Sequence, residues 1–388
     1  MKFLISDIYA QLPLHLARRY IEEKTGINIP FPSLRPVFRK KLFMKEGFDG
    51  VEALIGSAAK ILDRDRNCIA KLKKTFRETS VFSAHASFED QHQLMKDSEY
   101  NLVYDEESKL KENVAMLKFL TAWNRDAEKP ILNIHLGKVN NTFARSTIEK
   151  KLEQCIELLK KTQEFAEANR CVIAVENLDV GKNSFYNLGS DPRDLEFLLK
   201  RAPKAKITYD PGHLDSFMYE EMKNKKDSEK IRFFTEYHNN FLNDFGDNIV
   251  YAHIYYNDIM FSNQIHDPYY NTGMHLPLTR ISNDEFREAY SDIVRKILAA
   301  VERNCKAEGI TACVNLEIPA GRIGLPFISN IVGIDMVKDG ATVEEQLESL
   351  RMVKRIYYSA ACKKDDDTRA INENGMDAIN SGVAYARP

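Results

Sequence analysis

Seven ionisable side chains stand at or just beyond the ends of short apolar runs. They are His85 in SAHAS, His135 in LNIHLG, Glu176 in AVENL, Asp210 and His213 in TYDPGH, His253 in YAHIYYND and Glu317 in NLEIP. Burying a charge without a partner is expensive, so interior strands are expected to be apolar through their length. Six runs that each end on a carboxylate or an imidazole imply ends that meet around one or more cations. Glu176, Asp210, His253 and Glu317 form a mixed oxygen–nitrogen set that suits a hard or borderline divalent ion. Manganese, magnesium, cobalt and zinc all fit, and composition does not choose among them.

Each position has a functional and a plainer structural reading. Glu176 ends CVIAVE, where its carboxylate would be stranded without a cation or a basic partner. In TYDPGH the Pro-Gly pair bends the chain just past a strand, so Asp210 and His213 can face one cavity. Alternatively, Asp210 caps the following helix and His213 is a rim histidine. His85 and His135 extend the pattern, as ligands of a second ion, as holders of substrate hydroxyls, or as hydrogen-bonded rim residues. His275 in TGMHLPL lies on a loop, and His266 and Asp267 can approach the same region. Arg322 in AGRIG follows Glu317, where it would meet an anionic substrate or solvent. His15, His92 and His238 read as ordinary helix or loop residues. GRIGL is neither a phosphate loop nor a dinucleotide fingerprint, so no nucleotide cofactor is implied.

The elements that must carry these residues form a regular series. Apolar runs rich in Val, Ile, Phe and Tyr occur near 2–5, 50–54, 81–85, 130–135, 171–176, 206–210, 249–256 and 311–317. Helical periodicity separates them, most clearly over 107–123, 146–168, 192–201, 284–304 and 343–360. Over 146–168, Ile148, Leu152, Cys155, Ile156, Leu159 and Phe165 make one apolar stripe. Short strands alternating with longer helices predict parallel βαβ units, and eight of them predict closure into an α/β (β/α)8 TIM barrel. Three prolines in GINIPFPSLRP at 26–36 interrupt the first crossover, which predicts a short loop and a second helix toward GFDGVE. Long connections at 86–105, 257–282 and 318–341 would lie on the C-terminal face as a wall or lid. The expected domain spans 1–362, and 363–388 is a tail, on the surface or packed on a partner subunit.

Bulk composition narrows the classes. The chain has 388 residues, 44% hydrophobic and 29% charged, as expected for a globule with a sizeable core. A formal net charge of -2 supplies no global attraction to nucleic acid or anionic membrane, and FRKK at 38–41 reads as a solvated helix end. The 6 cysteines form no CxxC pair, and Cys171 and Cys313 sit in strand runs as small core residues. No stretch reaches membrane-spanning length and the start lacks a signal-peptide core, so the expected location is the cytoplasm.

In chain order, GFDGVE, the HA of strand three, the HLG of strand four, VENL, the DPGH turn, AH…ND, HLPL and LEIP carry a resemblance. Over roughly 1–360 the chain resembles the xylose-isomerase-like TIM-barrel superfamily, which holds sugar and sugar-phosphate isomerases and epimerases together with endonuclease IV. The isomerase and epimerase branch implies a single divalent ion on Glu176, Asp210, His253 and Glu317. It also implies that the two glutamates pass protons on opposite sides of an enediolate while His213 touches a substrate oxygen. A carbohydrate substrate follows from that branch, and association into homo-oligomers is common in it.

Endonuclease IV is the alternative, a phosphodiester hydrolase with three zinc ions. The resemblance places its ligands at His85, His135, Glu176, Asp210, His213, His253, His275 and Glu317. VENLDVGKNSFYNLG also looks like that enzyme's glutamate loop. The chain departs at the third-metal motif, with Gly273 where that branch has Asp and Thr279-Arg280-Ile281 in place of Gly-Glu-Gly. HLG for HPG and LEIP for LETP lean further toward the carbohydrate branch. Nucleic acid is expected as a partner only under this alternative, and a lyase or another hydrolase on the scaffold completes the set.

Overall fold

A computed structural model describes residues 1–6, 43–54, 80–85, 106–123, 128–180, 185–259, 261, 275–318 and 341–359. Eight parallel strands close into a barrel. They are β1 (Lys2–Ser6), β2 (Gly50–Leu54), β3 (Val81–His85), β4 (Ile131–Ile134), β6 (Val172–Glu176), β8 (Lys206–Tyr209), β9 (Ile249–Ile254) and β10 (Cys313–Leu316). Around the barrel they run β1-β10-β9-β8-β6-β4-β3-β2, and β2 pairs with β1 to complete the ring. Each of the eight expected strands is present, at nearly the expected bounds. A further pair, β5 (Lys138–Asn140) and β7 (Phe185–Asn187), is antiparallel and joins the segments that follow β4 and β6.

The longer helices among the described residues are α1 (Glu106–Trp123), α2 (Arg145–Ala168), α3 (Pro192–Arg201), α4 (Pro211–Met222), α5 (Asp227–Phe245), α6 (Asp284–Glu308) and α7 over 343–359. Their starts follow from local chemistry. Asp191, Asp210 and Asn283 each accept a backbone N–H two or three residues on, and prolines 192 and 211 stand where no N–H partner is required. The stripe Ile148, Leu152, Cys155, Ile156 and Leu159 of α2 is buried as its periodicity predicts, whereas Phe165 is 43% exposed. Gly309 ends α6 in the left-handed conformation that glycine adopts without penalty. Among the described residues, no helix is long and apolar enough to cross a membrane.

The barrel interior corrects one expectation. Its strands are not apolar throughout: Glu52, Ser83, Asn133, Thr208 and Asn315 are all buried. Most of them have polar partners in the lumen, Asn133 donating to Glu176 Oε2, whereas Thr208 Oγ1 makes no hydrogen bond. Ser83 Oγ and Tyr251 Oη are 2.8 Å apart, and Asn315 Nδ2 donates to Glu52 Oε2 at 2.8 Å. A polar layer of this kind, under the strand ends, carries the charged groups above it. The 26–36 interruption, the 86–105 connection, most of the 257–282 and 318–341 connections, FRKK at 38–41 and the 363–388 tail lie outside the described residues.

Candidate metal centre

The residues expected to meet do meet. His85 and Glu176 end β3 and β6, His135, Asp210 and Glu317 follow β4, β8 and β10, and His253 is the penultimate residue of β9. All of these are buried except His135, which is partly so. One ligand atom each from Glu176, Asp210, His253 and Glu317 lies within 4.8 Å of the others, and a second group joins His85 and His135 to the same Glu176.

Glu176 connects the two groups by dividing its oxygens. Oε1 lies 3.2 Å from His253 Nδ1 and 3.4 Å from His213 Nδ1. Oε2 lies 3.0 Å from His85 Nε2 and 3.2 Å from His135 Nε2, and it accepts the Asn133 amide. On the other side of His253, Glu317 Oε2 is 3.2 Å and Asp210 Oδ2 is 3.7 Å from Nδ1. One Nδ1–H can point to only one acceptor, and it points to Glu176. Asp210 Oδ2 and both Glu317 oxygens therefore take no hydrogen bond although they are buried. Buried carboxylate oxygens without donors, converging on one imidazole nitrogen, are what a divalent cation satisfies. The donor set fits such an ion.

Asp210 both caps the following helix and faces the cluster. Its Oδ1 accepts the His213 backbone N–H at 2.9 Å and so caps α4, while Oδ2 faces the cluster. Asn177 steadies this corner, because its Nδ2 donates to Asp210 O and its Oδ1 accepts the Asp210 N–H, both at 2.7 Å. That reciprocal pair ties the end of β6 to the end of β8, and with them Glu176 to Asp210. His213 Nδ1 donates to Asn177 O at 2.9 Å, which leaves Nε2 for other contacts. His275 stacks on Tyr255 with ring centroids 3.8 Å apart, and its Nδ1 lies 3.4 Å from Glu317 Oε2. Arg280, where endonuclease IV would have a glutamate, is paired with Glu345 at 2.9 Å. Arg322, His266 and Asp267 lie outside the described residues.

Ionisation follows from this geometry. Burial would raise the Glu176 carboxyl, but the charge of His253 and hydrogen bonds from His135, His253 and His85 hold it well below the usual range. Glu317 is likewise opposed by burial and drawn down to about 2 by His253 and His275. Burial opposes the charged form of His253 as well, yet Glu176, Glu317 and Glu52 raise it well above its ordinary value. His213 rises to about 9, with burial outweighed by Asp210 and Glu176. His85 is raised by Glu176 against burial, whereas burial wins at His135 and lowers it. Without a metal, protons on the histidines supply the positive charge that these carboxylates need.

Several contributors were not singled out from the sequence. Asn177 and Glu52 sit within VENL and GFDGVE, segments that carried only the resemblance. Tyr255, which donates to Asp210 Oδ1 at 2.9 Å, carried no signal beyond its place after the β9 histidine. His238 is a helix residue, as expected, but not an ordinary one. It is fully buried in α5 between Tyr209 Oη at 2.5 Å and Asp215 Oδ1 at 2.9 Å.

Comparison with solved structures finds the same barrel. One structure, named D-tagatose 3-epimerase-like protein, superposes with a TM-score of 0.53 at 14% identity, covering 94% of this chain and 99% of that one. A second, D-psicose 3-epimerase with D-tagatose from Clostridium cellulolyticum H10, gives 0.50 at 15% identity, covering 92% and 99%. A search of curated proteins returns no match. The family profile described as xylose isomerase-like TIM barrel matches residues 42–260, which include β2 to β9 and six of the seven strand-end residues, all but Glu317. On that match the chain belongs to the xylose isomerase-like TIM barrel family.

Proposed function

We propose that the protein is a divalent-metal-dependent isomerase or epimerase of a sugar, sugar phosphate or related polyhydroxy ketone. The observation that carries this reading is the placement of two ionised glutamates, Glu176 and Glu317, each 3.2 Å from the same His253 nitrogen in the four-residue cluster. The two solved structures compared above are named a D-tagatose 3-epimerase-like protein and a D-psicose 3-epimerase, which agrees with such chemistry.

A divalent cation held by Glu176, Asp210, His253 and Glu317 supplies Lewis acidity toward a carbonyl and its neighbouring hydroxyl. The chain's own groups move the proton. Glu317, with its carboxyl at about 2, is a carboxylate at neutral pH and can accept a proton. Glu176 is also ionised, so either glutamate can remove the proton beside the carbonyl to give an enediolate. The other returns a proton once it has itself taken one up from solvent, the first then releasing its own to solvent. His213, whose Nδ1–H is committed to Asn177, offers Nε2 to a substrate oxygen. His85 and His135 hold substrate hydroxyls in this reading, and Arg322 meets an anionic group such as a phosphate.

A second reading rests on the His85–His135–Glu176 group, which offers a place for another ion. With two or three metals the barrel would act as a phosphodiester hydrolase like endonuclease IV, or as a lyase or another hydrolase.

Metal content per chain, measured on protein purified without added metal or chelator, separates the two. About one manganese, magnesium or cobalt ion per chain supports the first reading. Deuterium from heavy water should then enter the carbon beside the carbonyl of one or more ketoses in a panel. Two or three zinc or iron ions, no exchange into any ketose and cleavage of abasic DNA would replace it with the second.

A further inference from the structure

Glu52 stands apart from the four-residue cluster and is buried in β2 with 1% of its surface exposed. Two strands, β1 and β10, separate β2 from β9 around the barrel, so its contact with His253 crosses the lumen. Glu52 Oε1 lies 3.4 Å from His253 Nε2, and Oε2 accepts the Asn315 amide at 2.8 Å. Asn315 is itself the register partner of His253 on the adjacent strand β10. The opposite ring nitrogen, Nδ1, is the one that faces Glu176, Asp210 and Glu317. Glu52 is thus on the wrong side of the ring to share a cation with them.

Ring packing fixes where the imidazole is. His85 stacks on it with centroids 5.8 Å apart and Tyr251 meets it edge-on at 5.4 Å. Packing does not decide which nitrogen keeps the hydrogen, because the two are nearly equivalent in shape. A carboxylate decides it, since it can only accept. A histidine that binds metal through one nitrogen needs an acceptor for the N–H of the other, and that acceptor sets both tautomer and basicity.

We infer that Glu52 is a positioning residue of the metal centre: it accepts His253 Nε2–H and the Asn315 amide, and so presents Nδ1 of His253 to a cation. This deepens the metal-dependent reading above and rests on it.

The test compares wild type, Glu52→Gln and Glu52→Leu for zinc affinity by chelator competition. It adds the histidine N–H resonances of the zinc-loaded, nitrogen-15-labelled proteins. Glutamine keeps an acceptor toward His253, and the Asn315 amide can turn to pair with its new N–H. Leucine offers neither. Leucine should weaken zinc binding about 10- to 100-fold, the usual cost of losing such a partner, and glutamine should recover all but about threefold of it. Wild type and Glu52→Gln should show a slowly exchanging Nε2–H on His253, which Glu52→Leu loses.

Three outcomes overturn the assignment: unchanged affinity in Glu52→Leu, a glutamine variant as weak as leucine, or zinc on Nε2 with the hydrogen on Nδ1. If Glu52→Leu does not fold, the glutamine affinity and the wild-type resonance still decide. A wild type that binds no zinc, manganese or cobalt fails before any variant is made, and that failure belongs to the metal reading.

Discussion

Tyr255 and Asp210 divide one carboxylate between structure and chemistry. The Tyr255 hydroxyl donates to Asp210 Oδ1 at 2.9 Å, the same oxygen that accepts the His213 N–H, and Oδ2 is left facing His253. Two donors on one oxygen fix the rotation of the carboxyl group. Tyr255→Phe removes one of them while keeping the ring that stacks on His275. Oδ1 retains its helix-capping bond, so folding should suffer by only about 1 kcal/mol. Metal affinity should fall about 10-fold or more, because the ligating oxygen is no longer aimed. Affinity equal to wild type, measured by metal titration of the chelator-treated protein, would show that the cap alone orients Asp210.

Gly212 sets the distance between α4 and that tyrosine. A Cβ built there would overlap the Tyr255 ring and hydroxyl, and the Gly212 carbonyl accepts the Asn257 amide at 2.7 Å. Two effects compete in Gly212→Ala. Helix propensity favours alanine by about 1 kcal/mol, while overpacking a fixed ring costs about 1–3 kcal/mol. The clash should win, lowering the melting temperature and metal affinity together, whereas Tyr255→Phe lowers affinity with little thermal effect. A more stable Gly212→Ala protein would mean that Tyr255 yields freely and does not position Asp210.

The strand ends were legible because a charged residue closing an apolar run stands out against its neighbours. Glu176, His253 and Glu317 needed no further context, and the eight runs around them gave the barrel. Glu52 was not legible in this way. It lies inside its strand, and its reason for being there comes from His253 and Asn315 on strands 201 and 263 residues away in sequence. Tyr255 depends on how closely α4 approaches β9, a distance set by the missing side chain of Gly212. His238 sits on an inward face of α5, where the burial of a histidine depends on Tyr209 and Asp215 arriving from β8 and α4. The β5–β7 pair is three residues on each side, too short for periodicity to reveal.

The proposed ligands and proton carriers separate by substitution. Glu176→Ala and Asp210→Ala should each lose most of the bound metal and all activity, since each removes an oxygen of the cluster. Glu317→Gln keeps the shape of the side chain and should keep much of the fold. It removes a group that must exchange a proton, so deuterium entry into substrate should fall about 100-fold or more. Wild-type exchange in Glu317→Gln would exclude Glu317 as the acid or base. Normal metal content and activity in both alanine variants would reject the site itself. His275→Ala separates the two functional readings: an isomerase with one ion should retain it, whereas a multinuclear hydrolase should lose an ion.

The metal-free protein should have a narrow range of greatest stability. His213 has an ordinary value of 6.5 and is raised to about 9 in the fold. Its contribution is therefore complete below 6.5 and lost as pH rises through 9. Glu317 moves the other way, from 4.5 to about 2, so its contribution is complete above 4.5 and lost as pH falls through 2. His253, raised well above its ordinary value by Glu176, Glu317 and Glu52, adds to the alkaline loss. The melting temperature of chelator-treated protein should therefore be highest between 4.5 and 6.5 and fall steadily toward 9. Manganese or zinc brings positive charge that does not depend on these protons, so saturating metal should flatten the alkaline fall. Metal affinity should rise over the same interval, because the cation must displace the His253 proton. A chelator-treated protein whose melting temperature holds constant or climbs from 6.5 to 9 would show that these histidines are not charged in the fold. The carboxylates would then have to be neutralised by another route, and the case for a cation among them would lose its electrostatic basis.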